Sequence, residues 1–175
     1  ASKVLNFSTQ KTMRLAQQLY EGVDLKGAGT VGVITYLRTD STRISEEAEQ
    51  SAKEYIGTQH GEAYVGSGEK KNKGKKIQDA HEAIRPTDIT RTPLEIKDSL
   101  SRDQYRLYQL IWKRFVASCM SDAKYETTNV KIDGNNHRFT VGGQTLKFDG
   151  FLSVYVDSDE KEETQNVVAL QKDSI

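Results

Sequence analysis

Tyr36, Arg38 and Asp40 stand at alternate positions in the run Gly32-Val33-Ile34-Thr35-Tyr36-Leu37-Arg38-Thr39-Asp40-Ser41. In an extended segment, side chains two apart share a face. The spacing therefore predicts a phenolic oxygen, a permanent cation and a carboxylate side by side on an apolar strand. Nucleophilic attack on a phosphodiester needs such a grouping. A phenol with a pKa of about 10 is almost wholly protonated at neutral pH, so it requires a base, a cation or a metal nearby. Arg38 can stabilise phenolate and contact phosphate oxygens with its planar fork, and Asp40 can orient that guanidinium. Thr39 and Ser41 offer hydroxyls for phosphate or for turn formation. The plainer reading of Tyr-x-Arg-x-Asp is a solvent-facing sheet surface with a weak salt bridge.

A second compact string is His81-Glu82-Ala83-Ile84-Arg85-Pro86-Thr87, in which Pro86 pushes Arg85 toward extended geometry. His81 is either a structural hydrogen-bonding group or part of a phosphate-binding or switch site. Glu82 and Arg85 are three apart and can simply pair with each other. The lysine cluster at 70–76 can track a nucleic-acid backbone, or it is a solvated loop. Trp112 and the tyrosines near it fall at core spacing, which makes them packing residues rather than a base-stacking platform.

The elements that must position these groups follow from periodicity and caps. Ser8 caps a helix over 9–20, with Met13, Leu15, Ala16 and Leu19 near helical spacing. Glycines at 22, 27, 29 and 32 then make a turn before the strand carrying Tyr36. Ser45, with Glu46 and Glu47 behind it, starts a helix expected to run to Ile56 and stop at Gly57. Residues 57–80 read as a polar, lysine-rich loop. Ser101 caps a long helix to Met120 with a broad apolar face. After Ala123 the period changes to two, and strands are expected over 124–132, 137–141, 144–149 and 151–156. Turns are expected at 133–136 and at Gly142-Gly143. An acidic loop over 157–163 and a weak strand near 166–170 complete the reading.

The 175 residues suit one domain or two small ones. Formal net charge is +0, so a polyanionic partner must be held by a local patch. Charged residues make up 29% and mean hydropathy is −0.68, with no apolar run to span a bilayer and no signal segment. The single Cys119 excludes an internal disulfide and a cysteine-rich zinc site, fits a reducing cytoplasm, and reads as a buried thiol. The absence of an initiator Met reads as an excised piece of something larger.

Taken together, Ile34 to Ser41 and His81 to Thr87 resemble two signature segments of the bacterial type IA DNA topoisomerases. Lys11-Thr12-Met13, the run Ala16 to Gly22, Tyr108 to Trp112 and Phe115 to Ala117 agree as well, so the resemblance covers practically the whole chain. The leucine between Tyr36 and Arg38, and the segment 23–32, resemble the topoisomerase I branch. The resemblance implies that Tyr36 is the nucleophile, forming a 5′-phosphotyrosine link, and that Arg38 stabilises the transition state. It implies support from Asp40, Thr39 and Ser41, and a DNA-binding or gating role for His81, positioned by Glu82 and Arg85. The implied fold class is α+β: a helical tyrosine-bearing domain with a winged-helix-like element over 1–122, then part of a β-rich antiparallel arch or hinge domain over 123–175.

The implied partner is DNA, preferentially single-stranded, together with metal-binding and gate domains of the same polypeptide that are absent from this sequence. The implied cofactor is Mg2+, bound by one of those absent domains and not by this piece. The implied setting is the bacterial cytoplasm, in association with the nucleoid. The piece alone is expected to be inactive. Rival readings are a non-catalytic DNA-binding or interaction module, or a fragment of another type IA branch such as reverse gyrase.

Overall fold

A computed structural model describes residues 1–67, 81–135 and 137–155. The chain separates into two compact units, Ala1–Ser121 and Asp122–Ile175. The fold is α+β, with helices in the first unit and a small antiparallel sheet in each. The lysine cluster at 70–76, the acidic run at 157–163 and the weak strand near 166–170 lie outside the described residues.

In the first unit a short helix, α1 (Ser2–Leu5), precedes α2 (Thr9–Glu21). The Ser8 hydroxyl accepts from the Lys11 amide, satisfying one of the donors left free at the start of α2. The expected turn at 22–32 is a small hairpin of β1 (Val23–Leu25) and β2 (Gly29–Val31), with Val23 opposite Val31. Gly27 and Gly29 at its tip have φ of 83° and 71°. Helix α3 (Glu46–His60) starts on the Ser45 cap as expected, but it runs past Gly57. A helix ends readily at a glycine that takes positive φ, and Gly61, with φ 98°, does so instead. Gly57 stays helical, in space where a methyl group would meet the Glu62 carboxylate at 2.9 Å.

Helix α4 (Arg102–Ser118) opens on a capping box in which Ser101 and Gln104 satisfy each other's backbone amides. Its apolar face supplies Leu107, Tyr108, Trp112, Phe115 and Val116 to the core, which also holds Leu15, Ala16 and Leu19 of α2 and Ala52 and Ile56 of α3. Burying an aromatic with a polar tip requires a partner for that tip. Tyr108 Oη donates to the Arg91 carbonyl at 2.7 Å, and Trp112 Nε1 donates to the Ile89 carbonyl at 3.0 Å. These two bonds fasten the segment after Pro86 to α4. Burial pushes the Tyr108 hydroxyl pKa well up, with Asp88 adding to the shift, so it remains a donor.

The second unit is a long hairpin of β3 (Lys124–Gly134) and β4 (His137–Phe148). The expected break at Gly142-Gly143 is absent: both glycines lie within β4, opposite Asn129 and Thr128. A turn there needs left-handed backbone, and neither glycine has positive φ, whereas Asn135 at the observed turn has φ 49°. The expected strand over 151–156 is a 3-10 turn at Gly150–Ser153 over its described part, started by Gly150 at φ 48°. Asp133 and Arg138 close the hairpin end with two hydrogen bonds, at 2.7 and 3.2 Å.

Cys119 is 6% exposed, and burial raises its thiol pKa. A raised pKa leaves less thiolate at neutral pH, and the thiolate is the reactive species. Iodoacetamide at pH 7 is expected to spare Cys119 in the folded protein and to label it in denaturant, as read by peptide mapping. Equal labelling in both conditions would contradict this packing.

Candidate active site

The segment carrying Tyr36 is not a continuous strand. It makes one antiparallel bridge, Ile34 opposite Pro86, and the chain then bends at Leu37 and Arg38. The expected alternation survives only in exposure, with Tyr36, Arg38 and Asp40 exposed and Leu37 buried between them. Among the described residues Arg38 and Asp40 form no ion pair with each other, so the carboxylate does not orient the guanidinium. The bend accounts for this, because the face-sharing rule applies to extended backbone.

Three attachments hold the segment. First, the Val33 amide donates to the Leu19 carbonyl at 2.8 Å, tying it to the last turn of α2. Gly32 sits so near that turn that a Cβ would stand 2.5 Å from the Tyr20 carbonyl oxygen. Second, the Thr35 amide donates to the Arg85 carbonyl at 2.9 Å and the Thr87 amide to the Val33 carbonyl at 3.1 Å. These flank the buried Ile34–Pro86 pair, where the ladder uses no amide from Pro86, so the proline costs no hydrogen bond. Third, side chains extend the seam. Thr35 Oγ1 donates to the Ala83 carbonyl at 2.9 Å and accepts from the Arg85 amide at 2.9 Å, while Thr87 Oγ1 donates to the Gly32 carbonyl at 2.9 Å.

Beyond the bend, hydroxyls turn the chain. The Ser41 amide donates to Thr39 Oγ1 at 3.0 Å and the Arg43 amide to Ser41 Oγ at 3.2 Å. Of the two roles open to Thr39 and Ser41, turn formation is the one made. The Ala83 amide then donates to the Arg43 carbonyl at 2.8 Å, and Arg43 Nε reaches the His81 carbonyl at 3.5 Å. Glu82 and Arg85 do pair, at 2.7 Å. Arg85 also donates to the Pro86 carbonyl at 3.0 Å and to Ser45 Oγ, the cap of α3, at 3.5 Å. The His81 side chain is exposed at the edge of this region.

The two motifs are therefore one structural unit, joined through backbone. Tyr36 projects from it, 45% exposed, its ring against that of Tyr20 with centroids 5.5 Å apart. Among the described residues its hydroxyl makes no hydrogen bond, and neither does the Arg38 guanidinium. Tyr36 lies outside the polar cleft between α3 and residues 85–95, which is lined by Glu54, Tyr55, Arg85 and Glu95 among others. A phenol and a guanidinium on an open surface can both meet a phosphate that arrives from solvent. Among the described residues no cluster of three or more His, Cys, Asp or Glu side chains could hold a metal ion.

Gly32, Thr35, Tyr20 and Arg43 carry this geometry and escape a reading based on reactive side chains. Gly32 carries a signal as a glycine directly before an apolar run, and Tyr20 and Thr35 lie within segments that share the family resemblance. Thr35 looked like any β-branched strand residue.

The family model described as DNA topoisomerase matches residues 1–175. The chain belongs to that family. It is similar in structure to full-length topoisomerase I from Thermotoga maritima, at 44% identity and a TM-score of 0.76 over 88% of this chain. It spans 24% of the length of that relative.

Replacing Thr35 with Val removes the acceptor of the Arg85 amide, and is expected to destabilise the protein by about 1–3 kcal/mol, with Ser restoring most of it. Gly32→Ala forces a backbone contact and is expected to cost a similar ~1–3 kcal/mol. Denaturant unfolding measures both. Wild-type midpoints would show that the seam does not hold the segment.

Proposed function

We propose that this chain is the nucleophile-bearing part of a type IA DNA topoisomerase, acting on one strand of DNA. The observation that carries the reading is Tyr36, exposed on a segment held by α2 and the His81–Thr87 motif, with Arg38, unpaired among the described residues, two residues on. Family membership over the whole chain supports it. In the proposed reaction Tyr36 Oη bonds to phosphorus, the bond from phosphorus to the 3′ oxygen breaks, and that oxygen takes up a proton. The product is a 5′-phosphotyrosine and a free 3′-hydroxyl. After passage of the intact strand, the hydroxyl attacks the phosphotyrosine and releases Tyr36, so negative supercoils relax without ATP. Arg38 neutralises the non-bridging phosphate oxygens, where charge accumulates in the transition state. His81, on the exposed edge of the second motif, contacts DNA or the closing gate.

Activation of the phenol is proposed to come from elsewhere in the polypeptide, by a base or a metal. The full enzyme is proposed to bind Mg2+ in a domain outside this sequence, which with the gate domains completes the machine. Residues 1–122 are proposed as the tyrosine-bearing domain and 123–175 as part of the β-rich arch. No helix among the described residues is long and apolar enough to cross a membrane, which suits an enzyme acting on DNA in the bacterial cytoplasm.

In the full-length polypeptide, Tyr36→Phe is expected to abolish covalent DNA adducts and relaxation while leaving DNA binding intact. Adducts formed by the Phe variant would sink the assignment. The isolated 175-residue piece is expected not to relax supercoiled DNA with magnesium present, and relaxation by it in a gel assay would refute the need for the other domains.

A further inference from the structure

We infer that Tyr20 is a positioning residue for Tyr36, holding its ring in the orientation from which the hydroxyl attacks. The inference rests on the proposed role of Tyr36 and adds a residue to that site. Among the described residues, the ring of Tyr20 is the one aromatic partner of Tyr36, with centroids 5.5 Å apart and planes at 70°. That is the edge-to-face arrangement favoured by the ring quadrupoles. Both residues remain partly exposed, Tyr20 at 38% and Tyr36 at 45%. Tyr20 is therefore not explained as a core residue.

The two rings meet because their backbones are locked at one junction. Leu19, wholly buried, accepts the Val33 amide at 2.8 Å. The Tyr20 carbonyl oxygen lies where a Cβ on Gly32 would approach to 2.5 Å, so the last turn of α2 and the start of the Tyr36 segment are in direct backbone contact. Ile34, Leu37 and the Thr35 hydroxyl fix the chain on either side of Tyr36. What remains free is the tyrosine side chain itself, two torsions about an exposed ring with an unbonded hydroxyl. The Tyr20 ring selects among those rotamers before substrate arrives. Attack on phosphorus requires the oxygen in line with the leaving group, and a misplacement of about 1 Å can cost about 100-fold in rate.

The contact is between rings, so the Tyr20 hydroxyl is dispensable. In the full-length polypeptide, Tyr20→Ala is expected to slow covalent adduct formation on a saturating single-stranded oligonucleotide by roughly 10- to 100-fold. Oligonucleotide affinity and melting temperature should stay at wild-type values, which separates positioning from folding and from substrate binding. Tyr20→Phe should restore the wild-type rate. Tyr20→Leu, which keeps bulk and loses the ring, should be as slow as the Ala variant and guards against a folding defect in the latter. Wild-type rates for the Ala or Leu variant, or a Phe variant as slow as Ala, would overturn the inference. Tyr36→Phe, run alongside, isolates the underlying reading: adducts in that variant would overturn the nucleophile assignment instead.

Discussion

The antiparallel seam between Val33–Thr35 and Arg85–Thr87 is the constraint on which the site depends. Two segments about 50 residues apart in sequence are joined by backbone hydrogen bonds on both sides of the buried Ile34–Pro86 pair. Such a pairing is entropically costly to close, and one bridge alone returns little. The threonine hydroxyls make it viable, because Thr35 and Thr87 add side-chain bonds where a longer ladder would have added backbone ones. Pro86 fits because its position calls for no amide. The seam is in turn fastened to the core through Ile89 and Arg91, whose carbonyls receive Trp112 and Tyr108.

A division of labour follows between what is buried and what is exposed. Val33, Ile34 and Leu37 face inward and hold the segment, while Tyr36, Arg38 and Asp40 face solvent and are left without polar partners among the described residues. A site on a supported loop can present reactive groups to a large substrate while the scaffold fixes their origin. The neutral net charge fits the same picture. In the proposed function, attraction of a phosphate is a local matter for one guanidinium, not for the field of the whole molecule.

Helix starts were legible because Ser8, Ser45 and Ser101 act through bonds to residues three positions on, within a single turn. Helix ends and turns were less so. Gly57 and Gly61 look alike in sequence, and only their φ values separate a helical glycine from a cap. The pair Gly142-Gly143 carried a turn signal that an unbroken ten-pair register overrode, from Tyr125 opposite Leu146 to Gly134 opposite His137. At the site, both motifs were legible as sets of reactive side chains. Their joining was not, because it rests on main-chain atoms and on Thr35, whose hydroxyl matters only once Ala83 and Arg85 lie beside it. The strand expected through Tyr36 failed for a related reason: alternation of apolar residues reports burial, and a bent segment can alternate too.

The two arginines of the motifs illustrate how burial separates roles that residue type alone cannot. Arg85 has a side chain only 15% exposed and is engaged by Glu82, the Pro86 carbonyl and Ser45. Drawing it onto a phosphate would strand the Glu82 carboxylate, itself only 23% exposed, and break the bond from Arg85 to Ser45 Oγ. Arg38 is exposed and has no such obligations among the described residues, so binding a phosphate breaks nothing. The same comparison applies to the hydroxyls. Thr39 and Ser41 are committed to turning the chain, and Tyr36 is not. Of the polar groups gathered at this surface, Tyr36 and Arg38 are the pair that can engage a phosphodiester without dismantling the structure that presents them.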